Sequence, residues 1–481
     1  MEADVVVVAG GVAGLAAAIT AAEKGASVII LEKANTTGGT GNMAMGIFGV
    51  ESRLQAKMLV GLTPKQAFDK FMEYTHWQVD AKLVKEYVYK SGDTINWLED
   101  MGVKFTIPSK YFPGSEATWH LVKPKTGDPG VRGAAIMMTI MTERAQELGV
   151  EICLETPVKE IIKEDGVVVG VIAENASGEE IEVRGGAVIV ATGGFGDNPE
   201  MIKEGTGLVW GEDLFSYRIP GLAGEGINMA CEAGAAQTPL TMEFCYFSPD
   251  TGGYAPLEIP FRQGDLLVNY NGDRFMNEEV MENPPFVCNA IKRQPKKLVW
   301  SIIDENIKNH YEKNGLDLTN VVTAYADFDL VNKEIDEALE NRPDIMVCAN
   351  SIEELAEKTG IDVDGLKKTL EEYNHACETR DELFEKNWKY LKPIKGPKYY
   401  ACKFGLMAYG SLGGVRINHK AEAVDNESNP VPGLYAAGID ANSIYGNDYI
   451  FILPGNSMGF AVNSGRIAGE NAVEYIQENL A

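Results

Sequence analysis

The chain opens on an unbroken apolar run, Val5-Val6-Val7-Val8, which ends at Ala9-Gly10-Gly11 and gives way to a small-residue stretch over 15–23. A run with no polar alternation predicts a strand buried on both faces, as in the middle of a parallel sheet. A second apolar run at 27–31 ends at Glu32. Strand, glycine turn, helix, strand and terminal acid form the pattern of a βαβ dinucleotide unit. Its glycines bend the chain, let the backbone approach a pyrophosphate and let helix and strand close up. Gly11 and Gly14 suit the second and third roles, while Ala9 stands where the first glycine normally stands. Glu32 is placed to accept from ribose hydroxyls.

The period then changes twice. Residues 64–104 carry apolar positions at helical spacing (Phe68, Phe71, Leu83, Tyr87, Ile95, Leu98), and 132–148 predict another amphipathic helix. From 151 the pattern alternates, predicting strands at 151–154, 158–163, 167–174 and 180–183, then an all-apolar strand at 187–191 that runs into Thr192-Gly193-Gly194. The segment 240–391 has no dinucleotide-type turn; it predicts strands near 265–269 and charged helices at 333–341, 352–358 and 363–380. The opening style returns in Pro432 to Gly438 and in Pro454-Gly455-Asn456-Ser457-Met458-Gly459, ahead of a helix to about Asn479. This organisation predicts an α/β nucleotide-binding domain split into 1–239 and 392–481, with 240–391 inserted as a second domain.

At 481 residues the chain exceeds what one core comfortably fills, which agrees with two domains. A formal charge of −27 argues against nucleic acid and anionic membranes as partners. The seven cysteines are dispersed, with no Cys-x-x-Cys pair to suggest iron–sulfur, zinc or haem attachment, and suit a reducing cytoplasm. No secretory leader and no apolar run of membrane-spanning length is read.

Candidate nucleotide contacts follow from the turns. They are Ala9, Gly11, Val12, Ala13 and Gly14 in the first turn, Glu32 and Lys33 after the second strand, and Thr37, Gly38, Gly39, Thr40, Gly41 and Asn42 in the glycine loop. Val158, Ala191, Thr192, Gly193 and Gly438 belong to later strands and turns, and Asn456, Ser457 and Met458 open the last helix, whose N-terminus carries partial positive charge.

These motifs, with Gly224 to Ala230, Val268-Asn269, Gly272 to Glu278, Gly413 to Ile417 and Ser464 to Glu470, occur in one order from end to end. In that set the chain resembles the FAD-dependent fumarate reductase/succinate dehydrogenase flavoprotein family, nearer its 3-ketosteroid dehydrogenase and enone-reductase-like branch. The resemblance implies a Rossmann-like FAD-binding domain, parallel sheet plus β-meander, with an inserted α+β capping domain. It also implies noncovalent FAD, because no histidine follows Thr37-Gly38-Gly39 where relatives with covalent flavin carry one.

The departures bear on substrate. Family fumarate reductases hold a dicarboxylate with two histidines and arginines. Gap-free counting puts Cys245, Gly410 and Glu282 at three of those positions, and the segment 445–453 has no arginine. Two desolvated carboxylates without cations would be left unpaired. Tyr246, Phe247, Tyr409, Tyr445, Tyr449, Phe451 and Ile452 instead suit a flat, apolar guest. Tyr409 is the leading proton-donor candidate, followed by Tyr246 and Tyr449; Glu258 and Arg262 match the family's proton relay, with a surface ion pair as the equal alternative. His120, in Trp119-His120, is expected to serve in the core or on the surface.

The expectation is hydride transfer between flavin N5 and an activated C=C bond of a carbonyl-bearing ring compound (steroid-, isoflavonoid- or cinnamate-like) in the reductive direction. Rival readings are a fumarate/succinate enzyme, a dehydrogenase introducing the double bond, and a flavin-holding redox sensor. With no second nucleotide fingerprint, electrons are expected from an external donor, a reduced flavin or an electron-transfer protein.

Overall fold

The computed structural model describes residues 1–127, 130, 132–215, 219–251, 255–320, 323 and 326–479. Val5, Val6 and Val7 are fully buried because the opening strand, Glu2–Val8, has parallel neighbours on both sides. Val28–Leu31 pairs along one edge (Val5 opposite Val28) and Glu180–Val190 along the other (Val5 opposite Ala187). Glu151–Cys153 and Pro430–Ala436 extend the parallel sheet outward. Val158–Glu164 and Val167–Glu174 form an antiparallel meander that joins the first half of Glu180–Val190.

The two strands expected at 180–183 and 187–191 are therefore one. Its first half pairs antiparallel in the meander and its second half parallel in the central sheet. Alternation suits the first environment and continuous apolarity the second, so the sequence pattern changes where the strand does not.

The chain forms two compact units. The first comprises Met1–Gly207, Arg218–Met242 and Gly410–Ala481; the second comprises Leu208–Tyr217 and Glu243–Tyr409. In the first unit, helix Val12–Glu23 crosses helix Asn456–Asn479 on small residues. A Cβ on Gly465 would lie 2.3 Å from the Ala13 carbonyl oxygen, and one on Gly469 would lie 2.4 Å from that of Ala17. In the second unit, residues 399–405 of the strand Tyr399–Val415 pair antiparallel with Leu298–Asp304, residues 399–402 also pair antiparallel with Met346–Ala349, and Leu266–Val268 adds to Leu298–Asp304. The expected charged helices are Phe328–Asn341, Ile352–Thr359 and Val363–Glu378. This unit also buries an ionic cluster: Arg274 bonds Glu278 at 2.7 Å and Asp381 at 2.9 Å, and Lys386 approaches Glu278 at 3.3 Å. Among the described residues no helix is long and apolar enough to cross a membrane.

Ala9 has φ +81°, a left-handed conformation that costs a residue with a Cβ about 1 kcal/mol. The departure from glycine noted in the sequence is thus strained. Ala9→Gly is expected to raise the melting temperature in differential scanning calorimetry, since the new residue meets the required φ without that cost.

Candidate functional site

A cavity of about 330 Å³ opens in the first unit at the carboxyl ends of its parallel strands. Five stretches of the wall were expected: Ala9 and Gly11 to Ala13, Glu32 and Lys33, Gly39 and Thr40, Ala191 to Gly193, and Ser457 and Met458. Val158 and Gly438 also reach it. Gly14, Thr37, Gly38, Gly41, Asn42 and Asn456 are not on that wall but support it. Gly14 packs under the turn, where a Cβ would meet the Ala9 carbonyl oxygen at 2.0 Å. The Thr37 hydroxyl pairs with that of Thr142 at 2.7 Å, Asn42 donates to the Thr37 carbonyl at 3.1 Å, and Gly38 N–H donates to the Gly10 carbonyl at 2.9 Å. A Cβ on Gly41 would lie 2.4 Å from a Val12 methyl and 2.6 Å from the Met138 sulfur, so both side chains would have to shift. Asn456 accepts the Tyr87 hydroxyl at 2.7 Å.

The cavity fits a dinucleotide. A Cβ built on Gly11 meets nothing within 4 Å, and one on Gly39 meets only the Gly11 Cα, at 3.5 Å. Two facing glycine backbones bordering open space form a cradle that a pyrophosphate could approach closely. Glu32 is 7% exposed; its two oxygens accept from Gly10 N–H at 2.7 Å and Ala34 N–H at 2.8 Å. Each carboxylate oxygen retains a lone pair for a further donor. Lys33 is held by Glu225 and the Gly221 carbonyl.

One supporting group was not anticipated. Asp440, fully buried, accepts from the Thr192 N–H, from the Thr192 hydroxyl at 2.9 Å and from Gly194 N–H at 2.8 Å. It ties the turn at 192–194 to the one after Gly438. Burial raises its carboxyl above the usual range, and the N–H bonds pull it back. The signal was a carboxylate two residues beyond a glycine turn that already counted as a candidate.

The aromatic residues expected to form the substrate wall fall into two groups. In the first unit, Tyr449 lies 5.1 Å from Tyr445 and 5.0 Å from Phe451, and Phe451 lies 4.9 Å from Tyr111, whose ring neighbours Trp119 at 6.1 Å. The Tyr449 hydroxyl oxygen accepts the Ser457 N–H at 2.9 Å. That bond places the aromatic group beside the helix turn that lines the cavity.

The second unit holds the other group. The Arg262 guanidinium sits 4.1 Å from the Tyr246 ring centroid and 4.7 Å from that of Phe247, and Phe247 meets Tyr409 edge-on at 5.8 Å. Arg262 donates to the Tyr246 carbonyl at 2.6 Å and to Glu258 at 3.3 Å; Glu258 also accepts from Ser248 N–H at 2.8 Å. The Arg262 and Glu258 side chains are 6% and 0% exposed, so the pair is buried rather than superficial. Burial pushes the Glu258 carboxyl up to about 7, against the pull of Arg262. The Tyr246 hydroxyl donates to the Met281 carbonyl at 2.7 Å, which commits its proton to the main chain, and burial raises it to about 12. Tyr409 is 38% exposed.

His120 is fully buried in the first unit and shares a 2.7 Å hydrogen bond with the Ser52 hydroxyl. Burial lowers its pKa to about 4, so it stays neutral, a core histidine.

The family described as FAD binding domain matches residues 4–457. Vinyl phenol reductase of Lactiplantibacillus plantarum is 32% identical, covering 99% of this chain and 97% of its own. Among solved structures, 3-ketosteroid-Δ4-(5α)-dehydrogenase from Rhodococcus jostii RHA1, in complex with 4-androstene-3,17-dione, superposes with TM-score 0.78 at 26% identity over 98% of this chain and 97% of that one. An open conformation of a flavocytochrome c3 fumarate reductase gives TM-score 0.73 at 26% identity over 98% and 78%.

Proposed function

The chain belongs to the FAD binding domain family, within its fumarate reductase and ketosteroid dehydrogenase relatives, and is an FAD-dependent oxidoreductase acting on C=C bonds; from that premise we propose that it reduces the activated double bond of a planar, ring-bearing substrate with one or two polar handles. The observation that carries this reading is the aromatic group Tyr111, Tyr445, Tyr449 and Phe451, joined to the cavity wall by the Tyr449–Ser457 hydrogen bond. Tilted and edge-on rings of this kind suit a flat guest and offer little to a small diacid.

FAD held by the Gly11, Glu32, Gly39 and Ser457 regions would supply hydride exchange at its N5. The remaining work falls to this chain's residues. The second unit, with the 240–391 segment at its heart, is the proposed substrate domain. Tyr409 is the proposed proton donor, with Tyr449 as the alternative on the first unit. Tyr246 serves as a ring platform under Arg262. Glu258 and Arg262 pass protons inward, a task suited to a carboxyl whose pKa of about 7 lets it gain and lose a proton near neutrality. The cofactor is proposed to be noncovalent, the electron donor external and the compartment cytoplasmic. Dispersed free cysteines and the histidine-free 37–42 loop support these points.

The experiment is an anaerobic assay with a reduced viologen as donor, offering 4-vinylphenol, a hydroxycinnamate, an androstenedione and fumarate. Turnover is expected with at least one ring compound at no less than about 100-fold the fumarate rate, the discrimination expected when buried charges lack partners. Fumarate turnover matching the best ring substrate sinks the reading.

A further inference from the structure

Two lips of the cavity come from distant parts of the first unit. One is the segment 31–34, at the end of strand Val28–Leu31; the other is the segment 219–222, followed by Glu225 at the start of helix Glu225–Glu232. The second lip is anchored from behind. Asp197 accepts the Gly221 N–H at 2.9 Å, and its own N–H donates to the Leu222 carbonyl at 2.8 Å. The Leu222 side chain lies on the turn at 192–194, where a Cβ on Gly193 would come within 2.9 Å of it.

Lys33 ties the first lip to the second. Its Nζ donates to the Gly221 carbonyl and pairs with the Glu225 carboxylate, partners 188 and 192 residues away in sequence. Its stem lies on Gly221, where a Cβ would meet Lys33 Cε at 3.4 Å. The Lys33 and Glu225 side chains are 36% and 48% exposed, whereas Glu32, on the same wall, is 7% exposed. The tie is therefore at the solvent rim of the cavity, and Glu32 lies deeper. An ammonium group has three donors, and here two of them are committed to holding the lips together.

We infer that Lys33 is a positioning residue that clasps the segment 219–222 over the cofactor cavity and so sets the rate at which FAD enters and leaves. This goes beyond the proposed reaction and rests only on noncovalent binding of the cofactor. A clasp closed to the same extent over the empty and the filled cavity slows both directions equally. It changes the rates of exchange and leaves the affinity alone, because a ligand shifts an equilibrium only by its differential interaction with the two states. A lysine that bound the phosphates would act otherwise: its loss would slow entry, speed exit and weaken binding. The ion pair is also open to screening, so salt loosens the clasp.

The test mixes apoprotein with FAD by stopped flow and follows release by flavin fluorescence after dilution of the FAD-loaded protein. Lys33→Met removes both bonds and is expected to raise both rates by about tenfold, with a dissociation constant within about twofold of the parent. Glu225→Gln removes the charge but leaves the Gly221 bond, and is expected to raise both rates by about threefold. The double variant should match Lys33→Met, because both changes act on one contact. Salt raised from about 50 mM to about 1 M should narrow the gap between the parent and Lys33→Met. Both side chains are at the surface, so the melting temperature of the apoprotein is expected to stay within about 3 °C of the parent. Slower entry with faster exit in Lys33→Met makes the lysine a phosphate contact and overturns the clasp. A merely structural lysine would lower the melting temperature and weaken binding, which overturns it as well. Flavin retained by acid-precipitated parent protein refutes noncovalent binding and the clasp with it. Flavin set free, with exchange rates unmoved by Lys33→Met, refutes the clasp alone.

Discussion

Gly11→Val is expected to yield a folded, soluble protein that purifies without flavin colour. Gly11 has φ −75° and ψ −169°, extended backbone that valine adopts freely, so the substitution imposes no local strain. A Cβ there touches no protein atom within 4 Å, so nothing in the fold resists it. The space it fills is the cradle between Gly11 and Gly39, which the pyrophosphate needs. A methyl group or two inside that gap blocks the close approach of a pyrophosphate to the backbone, which glycine permits. Far-ultraviolet circular dichroism should match the parent while visible flavin absorbance is absent, even after incubation with excess FAD. Gly14→Ala, three residues on, is expected to fail differently. Its Cβ would lie 2.0 Å from the Ala9 carbonyl oxygen, which belongs to the backbone and has no rotamer to yield. Helix Val12–Glu23 must then lift from the sheet, with a loss of several kcal/mol in the range of overpacked cores. Insoluble protein is the expected outcome there, against colourless soluble protein for Gly11→Val. Normal flavin content in Gly11→Val would remove the cradle from the cofactor site.

Much of the first unit was legible because its determinants are local. Four consecutive valines ending in a glycine turn admit few structures other than a central parallel strand, and Val5 to Val8 form one. The Ser464 to Glu470 motif carries glycines at i and i+4, and these are the contacts through which the two long helices touch. Asp440 was marked in the sequence only by its place two residues beyond Gly438; its partner was not legible, because Thr192 is 248 residues away and no periodicity links a carboxylate to a distant turn. For the tyrosines, sequence specified residue type but not exposure. Tyr409 led Tyr246 as proton-donor candidate without any sign of their surroundings, and Tyr246 is sealed with its hydroxyl on a main-chain carbonyl while Tyr409 is 38% exposed. The equal weight given to a surface ion pair at Glu258 and Arg262 reflects the same blindness, since i,i+4 spacing is common to exposed and buried pairs.

Burial of that pair leads to the second prediction, a pH dependence that Glu258→Gln abolishes. The Glu258 carboxyl titrates near 7 in the folded chain and near 4.5 when unfolded, with burial as the main cause. As the relay acid it must be protonated to deliver a proton. Turnover of the parent enzyme should therefore fall as pH rises through about 7, on the basic limb of its profile. Glutamine occupies the same space and can still accept from Ser248 N–H, but it carries no transferable proton. Turnover should drop about 100-fold at pH 6, the usual scale of a lost general acid, and the basic limb should flatten. Linkage supplies an independent readout. Between pH 4.5 and 7 the folded chain binds a proton at Glu258 that the unfolded chain has released, so this group's contribution to stability is greatest at the acid end and diminishes as pH rises, levelling above 7. Glu258→Gln should thus show a shallower decline of melting temperature from pH 5 to pH 7.5 than its parent. A group acting only in packing would change stability without moving the activity profile. A basic limb that persists in Glu258→Gln with turnover intact assigns proton delivery to another residue.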